Sequence, residues 1–433
     1  MKELQMNENY NSPEYKRSRA AYSAECAFEY FVSLLVADAF LSNLLSSMGF
    51  DDSTIGIISS LISLAFLFQL FSVFVVQRIT NVKLVAVTIH CVSQMFFMFL
   101  YLVPFLPFAE EFKTITVFAC IIIAYFGNYL VTTVIFDWGN SFVDPEKRAR
   151  YAAGKEMASL LSGIFVTLFM GYMVDRFAEQ GNIKGGFIFT ACMILIINIC
   201  DFLCLMLIKN RIVKEKESKK EPFLQVIGMI FKNKSFVYVI ILSVLWNVSN
   251  YMLLGFMGIY KTKDLLLSVG VVQIINIAGC LFRFAFSKPF GKFTDRRSYA
   301  KGIKLGIAVA AVGFAANIFT TPSLWWMVIV YTVFNNIAMA GIAQNMNNIT
   351  YSYIDRKYFV QATAIKNSIS GLCGFLASVA GGKILDYVQS NNNTIFGLKV
   401  YGQQVLSFIS LAVAVVAIVF VKAVVEKQKI IAK

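Results

Sequence analysis

Charge is scarce in this chain. Of 433 residues, 15% are charged and 58% are hydrophobic, whereas a soluble domain carries roughly 25% charged residues. That shortage excludes an ordinary soluble protein. Histidine occurs once, at His90, so a histidine-based acid–base enzyme has little to be built from. His90 lies in an apolar block and reads as a packed or hydrogen-bonded helix residue, not a ligand. Short segments of alternating hydrophobicity are lacking, which excludes a β-barrel. A Gly-x-x-x-x-Gly-Lys-Ser/Thr loop is lacking too, so the chain carries no P-loop ATPase. The eight cysteines all lie inside apolar blocks and do not make a disulfide framework. Cys200 and Cys204 are one helical turn apart, but nothing completes a metal set around them, and they read as small buried hydrophobes. No catalytic group, metal or cofactor is expected.

What is present is a series of long apolar blocks. A helix needs roughly 20 residues to cross a bilayer, and backbone inside lipid must bond to itself, so such blocks are helices. The fold class is therefore all-α and polytopic. About twelve spans are predicted: 22–48, 53–77, 83–107, 113–141, 149–174, 186–208, 236–260, 266–290, 299–320, 323–350, 359–385 and 401–425. Charged or turn-forming residues separate them, among them Asp51–Asp52, Asn81, Gly181–Asn182 and Pro322. The polar first 20 residues are not followed by a short apolar stretch with a small-residue cleavage site. The first block is thus expected to be a retained span.

The net charge of +14 sits between the blocks. Counting residues at span edges with the connections they adjoin, 29 of the 39 Lys and Arg fall on even-numbered connections and the two tails, 4 deeper inside spans, and 6 on odd-numbered connections: Lys113, Arg176, Lys184, Lys261, Lys263 and Lys399. Cytoplasmic loops are the Lys- and Arg-rich ones. Both termini are therefore expected in the cytoplasm, in a cell inner (plasma) membrane. The basic balance is explained by orientation, and no nucleic-acid partner is called for.

The longest polar connection, 209–235, divides the chain. The expected organisation is a cytoplasmic tail over 1–21, a six-helix bundle over 22–208, the cytoplasmic loop 209–235, a second six-helix bundle over 236–425, and a cytoplasmic tail over 426–433. Within the loop, Phe223 to Phe231 is apolar and flanked by Lys, as a short helix lying on the membrane face would be. An internal repeat links the halves. Lys155, Ser159, Ser162, Gly163, Gly171 and Asp175 recur as Lys366, Ser370, Cys373, Gly374, Gly382 and Asp386, all at one offset, which also carries Asp144 onto Asp355. Repeated halves are a recurrent build among secondary transporters.

Charged side chains inside spans are costly unless paired or hydrated. Asp38 lies near the middle of span one, Glu29 lies deeper toward the cytoplasm, and Glu25 is placed near the headgroups. Asp137 lies two turns from Asp144. Lys155, Arg283 and Lys366 fall in spans five, eight and eleven, and Asp201 in span six. They either pair with one another to hold helices together or contact a solute. For Lys155 and Lys366 a structural or gating role and a solute contact are both open.

Six plus six spans with repeated halves resemble the major facilitator superfamily in its 12-span form. The specific residues are Gly291-Lys292-Phe293-Thr294-Asp295-Arg296-Arg297, which match the first half of the family's G-x-x-x-D-R/K loop. The second half is lost at Ser298, Tyr299 and Ala300. The matching segment of the first half of the chain, Gln77 to Lys83, is more degraded. A loop of this kind wants a Gly where helices approach closely and an acid that caps a helix end. Gly291, Asp295 and Arg296 are thus gate candidates, or else a solvated turn. The Gly-Pro signature of drug–proton antiporters is missing from span five.

The resemblance implies that spans one, four, seven and ten line a cavity. Their polar residues form stripes at helical spacing. These are Tyr129, Thr133, Asp137 and Ser141; Ser243, Asn247 and Asn250, with Trp246 beside them; and Asn336, Gln344 and Asn347. Amides both donate and accept, as a polyhydroxylated ligand requires, and a Trp can cover an apolar ligand face. Interhelical hydrogen bonding is the other reading. The implied function is a secondary active transporter moving a small polar organic solute by alternating access. Proton or sodium coupling would run through Asp38, Asp137 or Glu29, with Arg283 or Lys366 as possible partners of Asp38. Efflux and facilitated diffusion are the alternatives in the same class, and a membrane sensor or enzyme in another. The expected partners are a small-molecule solute, a coupling ion and the lipid bilayer, and the chain is expected to be a monomer.

Overall fold

The structure is a computed structural model. It describes residues 10–71, 81–144, 148–210, 223–354, 358–395 and 397–428. The helices are α1 (Pro13–Leu35), α2 (Asp38–Ser47), α3 (Asp52–Phe71), α4 (Val82–Leu100), α5 (Glu110–Asn140), α6 (Arg148–Glu179) and α7 (Ile183–Leu207). There follow α8 (Phe223–Lys232), α9 (Lys234–Asp264), α10 (Val269–Arg296), α11 (Tyr299–Ile318), α12 (Met327–Asn348), α13 (Phe359–Ser390) and α14 (Gly402–Ala423). Ten of them are long and apolar enough to cross a membrane, and α1 with α2 makes an eleventh as one interrupted span. The tenth predicted span corresponds to α12, where only Met327–Ala343 is apolar, because its last turns are amide-rich. Among the described residues, the one departure from an all-α reading is a two-residue antiparallel hairpin, Thr394–Ile395 with Leu398–Lys399.

The turn residues of the sequence work as caps. Side chains of Ser12, Asp51, Asn81, Asn182, Asn233, Ser268 and Ser298 each accept a backbone N–H three residues on. That satisfies donors every helix N-terminus leaves open. At the other end of α6 the chain turns through Gly181, at φ +67°, with Asn182 N–H donating to the Phe177 carbonyl. Only glycine takes that backbone without strain.

The repeated segments fold alike. α6 and α13 are both 32 residues long, and their ends are displaced by the same offset as the repeat. The apolar helices are inverted relative to those of a soluble protein. On α7, Asn198 and Asp201 are buried while Ile196, Ile199 and Leu203 are exposed, as expected where the outer solvent is lipid.

The chain divides into two compact units. One comprises Met1–Val36 with Phe71–Lys216, and the other Ala37–Leu70 with Glu217–Lys433. The division passes through the interruption between α1 and α2. The first unit has a core around Tyr22, Val87, Val131, Trp138, Phe142 and Leu205. The second is centred on Phe236, Trp246, Phe256, Ile307, Phe314 and Leu406.

Candidate functional site

In the second unit, α2 and α3 are seated on α9, α10 and α13. Glycines make the seat. A Cβ on Gly258 would lie 2.4 Å from Ser42 Oγ and 2.7 Å from the Asp38 carbonyl, and one on Gly255 would lie 2.2 Å from Ser60 Oγ. Serines stitch the contact. Ser63 donates to the Gly371 carbonyl at 2.8 Å, Ser368 to the Phe66 carbonyl at 3.0 Å, and Ser378 to Ser60 at 2.5 Å.

Two acid–base assemblies close this seat. Asp38 opens α2 with φ +46°, a left-handed backbone for a residue with a side chain. Such strain persists where surroundings over-determine the conformation. Its carboxylate accepts from Lys261 Nζ at 3.1 Å and Asn276 Nδ2 at 2.7 Å. Lys261 also donates to Asn276 Oδ1 at 3.3 Å, and Asn276 to Gln273 Oε1 at 3.2 Å. The Lys261 side chain is 4% exposed and that of Asp38 26%. The second assembly is Asp52, which accepts from Lys263 Nζ and Gln389 Nε2, both at 2.6 Å. Asp52 is buried there, but Lys263 is half in solvent.

The partner of Asp38 is therefore Lys261, not Arg283 or Lys366. Lys261 was counted among loop residues. It instead lies in a π-helical turn, Tyr260–Asp264, that prolongs α9. Its spacing of three turns from Asn250 puts it on the same helix face, a signal that the Gly255–Gly258 stretch conceals. Lys366 is 1% exposed, and its ammonium donates to the Met346 carbonyl at 2.6 Å. Arg283 is half-buried on α10.

The first unit gathers a different set. Glu25 is buried. His90 Nε2 and Asp201 Oδ2 lie 2.8 Å apart, within hydrogen-bond distance, and both residues are buried. Glu29 accepts from Asn128 Nδ2 at 3.1 Å. Lys155 donates to Tyr22 Oη at 3.1 Å and Cys26 Sγ at 3.0 Å, and sits 4.2 Å from the centre of the Tyr22 ring.

Of the amide stripes, Asn250 is 6% exposed and its Oδ1 has no donor. Asn247 donates to the Ser243 carbonyl and Asn336 to the Thr332 carbonyl, both on their own helices. Trp246 is part of the apolar core. Gly291 and Arg296 are exposed and lie in the last turns of α10, which stays helical to Arg296, so they are not in a loop. A Cβ at Gly291 would meet nothing within 4 Å, so close approach does not explain that glycine. Arg296 lines an open cavity of about 460 Å³ with Lys288, Lys292 and Arg297. Asp144 is half-buried. Asp355 lies outside the described residues, as do the side chains of Thr133, Asp137, Asp295, Gln344 and Asn347.

A family model described as Major Facilitator Superfamily matches residues 26–378 and 248–430. A sequence search of curated proteins found no match. Among solved structures, the nucleoside transporter NupG superposes with a TM-score of 0.70 at 14% identity, over 96% of this chain and 100% of that one. A D-xylose–proton symporter gives 0.70 at 13%, over 93% and 96%. A POT family transporter in complex with 5-aminolevulinic acid gives 0.65 at 14%, over 94% and 96%.

Proposed function

Since the chain belongs to the Major Facilitator Superfamily, and is thus a multi-pass membrane transporter and not an enzyme, we propose that it moves a small polar organic solute by alternating access. The observation that carries this reading is the seating of Ala37–Leu70 in the second unit. A stretch of the first sequence half is held there by the Asp38–Lys261–Asn276 and Asp52–Lys263–Gln389 assemblies. Helices notched by glycine and closed by ion pairs can part without tearing an apolar core, which a gate requires. With both termini in the cytoplasm, by the Lys and Arg asymmetry, this latch lies on the outer side. The division into bundles 22–208 and 236–425 is retained for the moving bodies.

The solute class is argued from the amides. Asn250 offers a buried oxygen without a donor, and Asn247 and Asn336 offer groups now bonded only within their own helices. Nucleosides and D-xylose, named for two proteins sharing this fold, are hydroxyl-rich, and amides suit such ligands. Coupling is assigned to Asp38. Its attraction to Lys261 disappears if it takes up a proton, so protonation releases the latch. Glu29 and Asp137 are next in line.

The test is transport by the purified chain in proteoliposomes, using solutes found by a thermal-shift screen. Counterflow without ATP is expected. Asp38→Asn, which mimics the protonated acid, keeps exchange but fails to accumulate solute against a gradient. Absence of counterflow for any solute that binds would overturn the transport reading. Retained pH-driven accumulation in Asp38→Asn would overturn the coupling assignment alone.

A further inference from the structure

The buried group in the first unit has no part in the latch or in the solute reading. Glu25 of α1, His90 of α4 and Asp201 of α7 each present a ligand atom, and these atoms all lie within 4.8 Å of one another. All three residues are at most 2% exposed. Three separate helices thus deliver one imidazole and two carboxylates to a single point.

The balance of acids, bases and hydrogen bonds there is unusual. The described side chains around this point carry three carboxylates, Glu25, Glu29 and Asp201, which feel one another's charge and that of His90. The Lys155 ammonium bonds to Tyr22 and Cys26, and the Cys26 thiol donates onward to Glu25 Oε2 at 3.2 Å. Asp201 Oδ1 and His90 Nδ1 have no hydrogen-bond partner. Gln94 Oε1 and Asn198 Oδ1 also have none. They lie one turn from His90 and from Asp201 on the same helix faces. Apart from His90 Nδ1, the unsatisfied atoms are acceptors. Buried acceptors without donors cost free energy, and buried carboxylates cost more unless neutralised. A proton satisfies one acceptor. A divalent cation neutralises two carboxylates and draws in several oxygens at once.

We propose that Glu25, His90 and Asp201 form an intramembrane site for a divalent first-row transition-metal ion. One imidazole with two carboxylates suits Zn²⁺, Mn²⁺, Fe²⁺ or Co²⁺, while the nitrogen donor disfavours Mg²⁺ and Ca²⁺. Such ions sit about 2.0–2.2 Å from nitrogen and oxygen donors, so donors about 4 Å apart can share one. The present spacing needs a contraction of less than about 1 Å, within reach of side-chain rotation. The unpartnered oxygens of Gln94 and Asn198, one turn away on the same helices, are the candidates to complete the shell. The sequence does not show this set as a motif, and no metal is expected from it. These three are separated by 65 and 111 positions.

The single histidine makes the test specific. With a histidine-free affinity tag, any imidazole in a metal's shell is His90. The full chain is expressed with Co²⁺ in the medium, so that loading does not depend on opening of the folded protein. It is then measured by elemental analysis and X-ray absorption. The expected result is one Co²⁺ per chain with a single imidazole and oxygen neighbours. Glu25→Gln, His90→Gln and Asp201→Asn should each lower Co²⁺ affinity more than tenfold. Ser162→Ala, at a half-buried position on α6, should leave it unchanged. Wild-type protein without stoichiometric Co²⁺, Co²⁺ without an imidazole neighbour, or binding that survives all three substitutions would each overturn the proposal. If the variants do not fold, the wild-type absorption spectrum alone decides it. None of these readouts uses transport, so the site stands or falls apart from the solute reading.

Discussion

The two buried acid–base assemblies use the same kinds of side chain but differ in balance. Around Asp38 the charges balance: one carboxylate meets one ammonium, and both faces of an amide bond to them, while the nearby hydroxyls of Ser42 and Tyr331 are left without partners. Around Asp201 acids outnumber bases, and carboxylate and amide oxygens are left without donors. A balanced assembly holds two helices together and opens when one charge is removed. An unbalanced one is stable only with something positive added. The contrast shows that burial of charge does not by itself report function; the local sum of charge and hydrogen bonds does.

The sharpest way to break this comparison is to unbalance the balanced assembly. Lys261→Met leaves Asp38 facing an apolar side chain, and breaking a buried pair costs about 3–5 kcal/mol. With Asp38 a quarter exposed, the lower end is expected, read as loss of thermal and denaturant stability in detergent. Asp38→Asn with Lys261→Met should recover most of the loss. If the single variant is as stable as wild type, the pair does not hold α2.

Next is the glycine seat. Gly258→Ala forces a Cβ to within 2.4 Å of Ser42 Oγ, and overpacking of this kind costs about 1–3 kcal/mol. The expected outcome is greater labelling of cysteines introduced on the α2–α9 contact. Gly154→Ala, where a Cβ would meet nothing within 4 Å, is the control, and should slightly stabilise α6. Equal labelling in both variants would mean that Gly258 has no role in the seat.

Asn250→Ala removes the buried amide whose oxygen lacks a donor. A buried hydrogen bond to a solute is worth on the order of 1–3 kcal/mol, so solute affinity should fall about tenfold or more. Unchanged affinity would put the site elsewhere. The smallest effect is expected at the exposed member of the outer pair. Lys263→Ala should cost about 0–1 kcal/mol and less in high salt. A loss as large as that of Lys261→Met would show that exposure does not separate the two pairs.

Most of the fold was legible in the sequence. Length and hydropathy marked the spans, and Asn, Ser and Asp at their edges turned out to be the caps. The repeat of Lys155 as Lys366 marked α6 and α13 as equivalent helices of equal length. The site was less legible. Asp38 and Glu29, which stand out in the sequence as acids inside a span, are half-buried and have polar partners, but Lys261 falls on a connection by hydropathy, which drops at Tyr260–Asp264 while the helix continues. Trp246 was read beside a polar stripe and is a core residue, since one turn of a helix cannot be divided between solute and core by spacing alone.

What the sequence determined by itself is what a one-dimensional pattern can encode. It set the apolar spans that must be helices in lipid, the repeat that marks two of them as equivalent, and the charge asymmetry between connections. What only the tertiary structure decided is which faces meet. Helical period places Asp201 on an inward face of α7, but does not say that His90 and Glu25 face it from α4 and α1. It places Asp38 on an interrupted helix, but not that Ala37–Leu70 is seated with the helices of the second half. The physical reason is that lipid solvates every apolar face about equally. Hydropathy therefore says that a helix crosses, while glycine notches, hydrogen bonds and charge balance choose its neighbours.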